Sequence, residues 1–291
     1  MEIRKAQRRE AKIKLALQGP SGSGKTMSAL LLASGITEWS KIAVIDTENH
    51  SADLYAHLGQ YNVLQLSQPF TPERYNKAIE ACEQAGMEVI IIDSVSHEWE
   101  GTGGVLTIHG AMAGNSFTNW NKVTPRHNAF VQKILQSDCH IISTIRTKTD
   151  YTLTEKNGKM VPEKVGLKGI TRDGMDYEFT IVFDLDIKHL AKASKDRTGL
   201  FMDQLEAIIT PEFGNKILEW CEAGTSLSSV RKDILSAGSI DQLREILRTY
   251  PEYRKQLEPL AIKRKEELSA NIININKISG NGQQNDPYKS K

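Results

Sequence analysis

Eight consecutive residues near the start of the chain have the types and spacing that bind a chain of phosphates. They fit the pattern G-x-x-x-x-G-K-[ST] and are Gly19, Pro20, Ser21, Gly22, Ser23, Gly24, Lys25 and Thr26. The glycines allow backbone N–H groups to converge on a β-phosphate at the positive end of a helix. Lys25 is then expected to reach the β- and γ-phosphates, and Thr26 to ligate Mg²⁺. The pattern predicts binding of ATP with magnesium, the alternative being a glycine-rich turn that only resembles such a loop.

A carboxylate that closes a strongly apolar run is the second candidate for chemistry. Asp93 follows the run from Val89 to Ile92. It is therefore predicted to end a central strand, where it can hold the magnesium shell. The ordinary alternative is a solvated aspartate at a strand end.

The carboxylate that activates water must come from a different place, because Ser94 and not a glutamate follows Asp93. Glu48 is the best candidate, since it ends a run whose strand is predicted to lie beside the Asp93 strand. Its carboxylate would then face the γ-phosphate, although it can also be an unremarkable loop glutamate. Glu98 and Glu100 are rival bases that need a favourable turn.

Strands and helices alternate along the part of the chain that carries these residues. Strands are predicted at 13–18, 41–46, 88–93, 140–145 and 180–187, with helices at 27–36 and 72–85. Apolar strands joined by helices imply a parallel sheet that is buried on both faces. The predicted fold class is therefore α/β, a P-loop core with a mostly parallel sheet flanked by helices, plus a small C-terminal helical appendage.

Length and composition suggest one substantial domain and smaller additions. The chain has 291 residues, and we expect the core at 1–224 and a helical appendage at 225–270. Residues 271–291 are rich in Asn, Gly and Gln and are expected to be a disordered tail, although NIININ alone would suit an edge strand.

Bulk composition also narrows the compartment and the partners. No run approaches the roughly 20 apolar residues of a membrane span, and the amino terminus lacks the apolar core of a secretion signal. The three cysteines are far apart and are expected to be free thiols without structural zinc, so a cytoplasmic protein without membrane contact is predicted. A net charge of +1 argues against binding polyanions over the whole surface, so any nucleic-acid contact must be local.

Several short segments resemble the signature segments of RecA-like recombinases. They are IDTENHSADLYA at 45–56, VIIIDSV at 89–95, IRTK at 145–148 and KDR at 195–197. The opening KIKLALQGPSGSGKTMSALLLASGI and the closing ITPEFGNKILEWCEAG are similar to phage-encoded ATP-binding proteins that keep only a RecA core. Some of those proteins act in single-strand annealing recombination.

The resemblance implies roles for individual residues and a mode of assembly. Glu48 would be the general base, and Arg146 would follow a strand that senses the γ-phosphate. Lys195 and Arg197 would reach the nucleotide of a neighbouring subunit, which implies a homo-oligomer in the form of a filament or ring. RecA-like proteins usually carry a glutamine at the end of the sensing strand, where this chain has Thr144.

Two segments that follow strand ends combine aromatic and basic residues. The first, Gly101 to His127, contains Phe117 and Trp120, and the second, Lys148 to Arg172, surrounds a predicted Asn157-Gly158 turn. Single-stranded nucleic acid is held by a basic groove with aromatic platforms for its bases. We therefore expect single-stranded DNA to bind here, more from the resemblance than from charge. The ordinary alternative places Trp120 in the core and the lysines on a solvated face.

Three functions are compatible with these features. The leading one is a DNA-stimulated ATPase that assembles on single strands in recombination, annealing or replication, with a single-strand-binding protein as a further candidate partner. The second is a nucleotide-gated loader or chaperone of replication proteins. The third is a P-loop phosphotransferase, which the position of Glu48 disfavours because a kinase must avoid activating water.

Overall fold

The chain folds into two compact units. The computed structural model describes residues 11–156 and 159–280. Of these, residues 11–221 form one compact unit and residues 222–280 belong to the other. The division falls close to the predicted end of the core at residue 224.

The first unit is built on a large sheet. Its strands, in chain order, are β1 (Lys14–Gly19), β2 (Ile42–Asp46), β3 (Asn62–Gln65), β4 (Val89–Asp93), β5 (His140–Lys156), β6 (Lys159–Gly169), β7 (Ile181–Leu185), β8 (Leu190–Asp196) and β9 (Ala207–Ile208). In the described residues they make a nine-stranded sheet with the order β3-β2-β4-β5-β1-β7-β8-β9, and β6 pairs with β5. The neighbours from β3 to β7 run parallel, whereas β6, β8 and β9 are antiparallel additions. The predicted mostly parallel α/β sheet is confirmed.

Helices cover both faces of this sheet. They are α1 (Lys25–Ser34), α2 (Pro72–Gln84), α3 (Ser96–Glu100), α4 (Val105–Gly110), α5 (Ser116–Gln136) and α6 (Pro211–Glu222). Successive residues of a strand point to opposite faces. Leu15 and Leu17 of β1 accordingly join the apolar cluster that contains α1 and α6 residues. Ala16 between them joins the cluster that contains α2 and α5 residues. This double burial explains why the strands are nearly continuous apolar runs.

The fifth strand is much longer than predicted. As far as Arg146 it pairs in parallel with β1, and from Thr147 onward it pairs with β6 as an antiparallel hairpin. The described pairing reaches Lys156 opposite Lys159. The predicted Asn157-Gly158 turn itself lies outside the described residues. The residues from Arg146 to Asp150 are all polar, so apolar alternation does not signal that the strand continues there.

The second unit is helical. It contains α7 (Leu227–Ser236), α8 (Ile240–Thr249), a short 3₁₀ helix at Pro251–Tyr253 and α9 (Arg254–Gly280). Ser226 and Ser239 cap the first two of these helices by accepting backbone N–H bonds from Ser229 and Gln242. Val230, Leu243 and Leu257 are among the buried residues of a separate apolar cluster.

The last helix corrects one prediction. Helix α9 continues through Gly280, so residues 271–280 are helical rather than a disordered tail or an edge strand at NIININ. Adding residues to an existing helix costs far less than nucleating one, which lets a weakly helical sequence extend α9. Residues 281–291 lie outside the described part of the chain. Within the described ranges, no helix combines the length and apolar character needed to cross a membrane.

Candidate nucleotide site

The phosphate loop connects β1 to α1, the context that its sequence pattern requires. Gly22 and Gly24 have φ angles of 80° and 83°, which lie in the left-handed region that favours glycine. Gly24 is the N-cap residue of α1, which begins at Lys25. The backbone N–H groups of the first helical turn have no helical partners and are free to bind an anion.

Lys25 is held inside its own loop. Its Nζ donates to the carbonyl oxygens of Gly19 at 2.9 Å and Pro20 at 2.8 Å. Burial lowers the pKa of Lys25, while the nearby carboxylates of Asp93 and Glu48 act in the opposite direction. Charge-assisted bonds to phosphate are stronger than bonds to neutral carbonyls. The ammonium group is thus placed to exchange its carbonyl partners for phosphate oxygens.

Asp93 is buried between two hydroxyl groups. Thr26 Oγ1 donates to Asp93 Oδ2 at 2.6 Å, and Thr144 Oγ1 donates to Asp93 Oδ1 at 2.5 Å. Only 2% of Asp93 is exposed, and this burial raises its pKa against the effect of the two hydroxyls. Thr144 therefore binds the predicted metal ligand from the position where the resemblance implies a glutamine.

Thr26 and Asp93 fit the limited protein ligand set that magnesium uses at nucleotide sites. The described ranges contain no group of three or more His, Cys, Asp or Glu side chains that could hold a metal by themselves. Mg²⁺ usually takes one or two carboxylates and completes its shell with substrate phosphates and water. The adjoining Thr26 hydroxyl and Asp93 carboxylate have the chemistry for such a shared site.

Glu48 lies near Asp93 because their strands are neighbours, with Asp46 of β2 in register with Asp93 of β4. The buried carboxylate of Asp46 accepts bonds from the backbone N–H groups of Glu48 at 2.6 Å and Ala52 at 3.2 Å. These bonds fix the loop that follows β2. The predicted adjacency of the two strands is confirmed, and the loop directs Glu48 toward the phosphate loop.

The Glu48 carboxylate is paired with Arg146. Its Oε1 accepts from Arg146 Nε at 2.8 Å and from Ser94 Oγ at 3.0 Å, and Arg146 Nη2 bonds Oε2. Burial by itself would raise the pKa of Glu48, but the bonds and charge of Arg146 outweigh it, so the pKa is lowered. The carboxylate is therefore charged and occupied by a forked partner that can also bind phosphate.

The two rival carboxylates point to other surroundings. Glu98 is fully buried and accepts from His127 Nδ1 at 3.0 Å, and burial raises the pKa of Glu98. Glu100 lines a different cavity, described below. Of the three glutamates, only Glu48 lines the cavity at the phosphate loop.

This phosphate-loop cavity has a volume of about 410 Å³. It is lined by Ser21, Gly22, Gly24, Lys25, Thr26, Glu48, Ser51, Tyr55, Asp93, Arg146, Thr147 and Ile170. Two of its buried hydroxyl oxygens, Ser51 Oγ and Thr147 Oγ1, have no hydrogen-bond partner among the described residues. Buried polar atoms are rarely left unpaired. A polar ligand in the cavity would supply the missing partners.

Comparison with known families agrees with this geometry. A family profile described as an AAA domain matches residues 11–208. The chain belongs to this AAA domain family. The match covers the whole parallel sheet and the phosphate loop, so the protein is a P-loop ATPase of the AAA type. No curated protein matches the sequence.

The AAA domain has a second cavity, of about 670 Å³, that brings together the two segments predicted to bind nucleic acid. Trp99, Trp120, Lys148, Lys168 and Arg172 line it. We call it the aromatic–basic cavity. Its walls also include Leu106, Ile170 and the carboxylates of Glu100 and Asp173. The segments 101–127 and 148–172 therefore meet at one place.

The two tryptophans of the aromatic–basic cavity stack on each other and contact two histidine rings. Trp120 stacks on His109 with centroids 4.1 Å apart and on Trp99 at 6.0 Å. His127 meets Trp99 edge-on at 5.5 Å, and the buried Glu98 binds His127. Trp120 is half-buried, so it is neither a solvated ring nor a fully enclosed core residue.

The two cavities share a wall. Ile170 lines both of them. Its backbone N–H donates to the carbonyl oxygen of Arg146 at 2.7 Å, and the Arg146 side chain holds Glu48. A short series of hydrogen bonds therefore links Glu48, the predicted general base, through Arg146 to Ile170, next to the end of β6.

Lys195 and Arg197 lie away from the phosphate-loop cavity of their own chain. Lys195 belongs to β8, opposite Val182 of β7. Its Nζ donates to the carbonyl oxygens of Asp176 and Tyr177, and Arg197 Nη2 donates to that of Tyr177 at 3.0 Å. Burial lowers the pKa of Lys195. The structure thus brings Lys25, Thr26, Glu48, Asp93 and Arg146 together, but not these two cations.

Proposed function

We propose that this AAA domain hydrolyses ATP with Glu48 as general base and acts on single-stranded DNA bound at the aromatic–basic cavity. The observation that carries the DNA part is the meeting of Trp99, Trp120 and three cations in one cavity that shares Ile170 with the phosphate-loop cavity. Stacking platforms and backbone-neutralising cations are the two elements that bind single strands.

Residues of the phosphate loop bind and orient the triphosphate. Lys25 leaves the carbonyls of Gly19 and Pro20 and neutralises the β- and γ-phosphate oxygens. Thr26 and Asp93 would hold a magnesium ion, which would neutralise charge on the phosphates. The orphan hydroxyls of Ser51 and Thr147 gain a polar partner.

Glu48 accepts a proton from the attacking water once Arg146 has released the Glu48 carboxylate. In the paired state both carboxylate oxygens are engaged, so the base is masked. A γ-phosphate offers Arg146 a competing anion with the same forked geometry. Transfer of Arg146 from the carboxylate to the phosphate both frees the base and places positive charge where negative charge develops.

DNA in the aromatic–basic cavity would stack its bases on Trp99 or Trp120 and bring its phosphates to Lys148, Lys168 and Arg172. Lys168 already pairs with Asp173 at 2.8 Å, so a DNA phosphate would replace an exposed carboxylate. Movement at the foot of the hairpin would reach Arg146 through the Ile170 bond, which links DNA to the release of Glu48.

Assembly into a filament or ring would complete the active site. Lys195 and Arg197 line no part of their own phosphate-loop cavity, so a role in catalysis requires the cavity of a neighbouring subunit. A cation supplied in this way stabilises the transferred phosphoryl group. Such an assembly on single strands suits a RecA-like role in recombination, annealing or replication.

Fluorescence anisotropy of a labelled oligothymidylate tests the DNA part directly. We expect binding that weakens with salt, because neutralised phosphates release counterions with a slope of about 0.7 per contact. The cavity's three cations therefore predict a log–log slope of roughly −2. If the protein binds ATP but no single-stranded DNA even at low salt, the proposed DNA site is rejected and the proposed ATPase activity is not affected.

A further inference from the structure

The turn between β7 and β8 lies directly against the phosphate loop. A methyl group built on Gly24 would come within 3.0 Å of His189 Nδ1. One built on Gly19 would come within 2.6 Å of the carbonyl oxygen of Leu185, at the end of β7. The imidazole of His189 therefore lies against Gly24, which is the N-cap residue of α1 and lines the phosphate-loop cavity.

The turn holds His189 in a fixed position. Asp186 Oδ1 accepts from the backbone N–H groups of Lys188 at 2.8 Å and Leu190 at 2.9 Å. The N–H of His189 donates to the carbonyl oxygen of Asp186 at 3.1 Å. His189 has a φ of 66°, in the left-handed region, yet its side chain is exposed rather than packed in the core. An organised turn thus presents an aromatic ring to solvent beside the phosphate site.

Sheet order indicates which end of the nucleotide would meet this ring. Strand β1 lies between β5 on one side and β7 on the other. The groups suited to the γ-phosphate come from the same side of β1: Glu48 follows β2, Asp93 ends β4 and Arg146 lies in β5. A triphosphate with its γ-phosphate at these groups would extend its nucleoside end away from β5, toward β7.

Exposed apolar side chains on α1 and on the β7–β8 turn are suited to contact a nucleoside. Met27, in the first turn of α1, is 40% exposed, and Ile187 of the β7–β8 turn is 73% exposed. Neither Met27 nor Ile187 belongs to the buried apolar clusters on the two faces of the sheet. Apolar contacts and an aromatic ring are the usual lining for the flat face of a ligand.

We propose that the His189 ring packs against the nucleoside of ATP and is the residue that distinguishes a nucleoside triphosphate from a bare triphosphate. This role of His189 rests on the proposed ATP site and adds to it the recognition of the nucleoside. The ring supplies one face and the turn held by Asp186 keeps it in place.

Competition binding with two probes tests this assignment. His189→Asn and His189→Gly both tolerate a positive φ, so they remove the ring without straining the turn. Magnesium–ATP and magnesium–tripolyphosphate are compared on each variant by displacement of a fluorescent nucleotide. Lys192→Ala, on the exposed face of the neighbouring strand β8, is the matched control.

We expect both His189 variants to bind ATP roughly tenfold more weakly, the effect of losing one aromatic stack, and to bind tripolyphosphate as the wild type does. An unchanged ATP affinity would overturn the proposal. An equal loss for both probes would also overturn it, since the ring would then act on the phosphate loop. A wild type that binds neither probe would instead reject the proposed ATP site itself.

Discussion

The phosphate-loop cavity and the aromatic–basic cavity are neighbours, but they are organised in opposite ways. In the first, polar groups bind one another: Thr26 and Thr144 hold Asp93, and Arg146 holds Glu48. In the second, stacked rings form a support, and exposed lysines such as Lys148 surround it. Chemistry requires groups fixed to within fractions of an ångström, whereas a flexible polymer can adapt to its site. We therefore expect single substitutions in the phosphate-loop cavity to abolish ATP hydrolysis, and those in the aromatic–basic cavity only to weaken DNA binding.

The largest effect should come from Lys25→Ala. Removing the cation leaves the β- and γ-phosphates without their neutralising partner, so we expect ATP binding and hydrolysis to fall below detection. Isothermal titration and phosphate release measure this, with Lys192→Ala as a control for loss of a surface lysine. Near-normal hydrolysis by Lys25→Ala would remove the basis for the active-site assignment.

Arg197→Ala tests whether the first cavity is complete only in an assembly. A cation supplied by a neighbour can contribute about three to five orders of magnitude in rate, so the variant should bind ATP but barely turn it over. Lys195→Ala should act similarly but less strongly, because an ammonium lacks the forked geometry.

Mixing variants separates a contribution across the interface from one within a subunit. Lys25→Ala subunits keep Arg197, and Arg197→Ala subunits keep the phosphate loop, so a mixture should recover part of the lost activity. No recovery from two folded variants that assemble together would confine Lys195 and Arg197 to their own subunit, where they bind backbone carbonyls.

Glu48→Gln should separate binding from catalysis in the first cavity. The amide keeps the size of the side chain but cannot accept the proton, so we expect turnover to drop by about a hundredfold or more while ATP still binds. Glu98→Gln is the matched control, because its carboxylate is buried against His127. If that variant loses turnover with its fold intact and Glu48→Gln does not, the base has been assigned to the wrong residue.

The smallest effect belongs to the second cavity. Trp120→Ala should weaken single-strand binding by about 1–3 kcal/mol if the ring is a stacking platform. Phe117→Ala, on the same helix with 84% of its surface exposed, should leave binding unchanged because it does not line the cavity. Thermal unfolding of both variants is the check on the fold. Unchanged DNA binding together with a lower melting temperature would make Trp120 a packing residue.

Local patterns were sufficient to predict the fold class and the position of the phosphate loop between a strand and a helix. Strand, loop and helix around Lys25 follow from short runs of sequence, and the closeness of Glu48 to Asp93 follows from parallel neighbours. Contacts between distant segments could not be predicted in this way. Arg146 meets Glu48 across 98 positions of sequence.

Two other features of the AAA domain also depend on contacts between separate segments. His127 meets Glu98 across 29 positions and holds its carboxylate outside the lining of the phosphate-loop cavity, and no local pattern predicts that pair. His189 gives no signal until the β7–β8 turn is seen against Gly24. The extended α9 was missed because composition describes the intrinsic preference of a segment and not the helix that precedes it.

Phosphate release at saturating magnesium–ATP, with and without single-stranded DNA, tests the connection between the two cavities most directly. We expect DNA to raise the rate of the wild type severalfold and Glu48→Gln to release little phosphate in either condition. Equal wild-type rates with and without DNA, under conditions where the strand is bound, would contradict a link from the aromatic–basic cavity through Ile170 and Arg146 to Glu48.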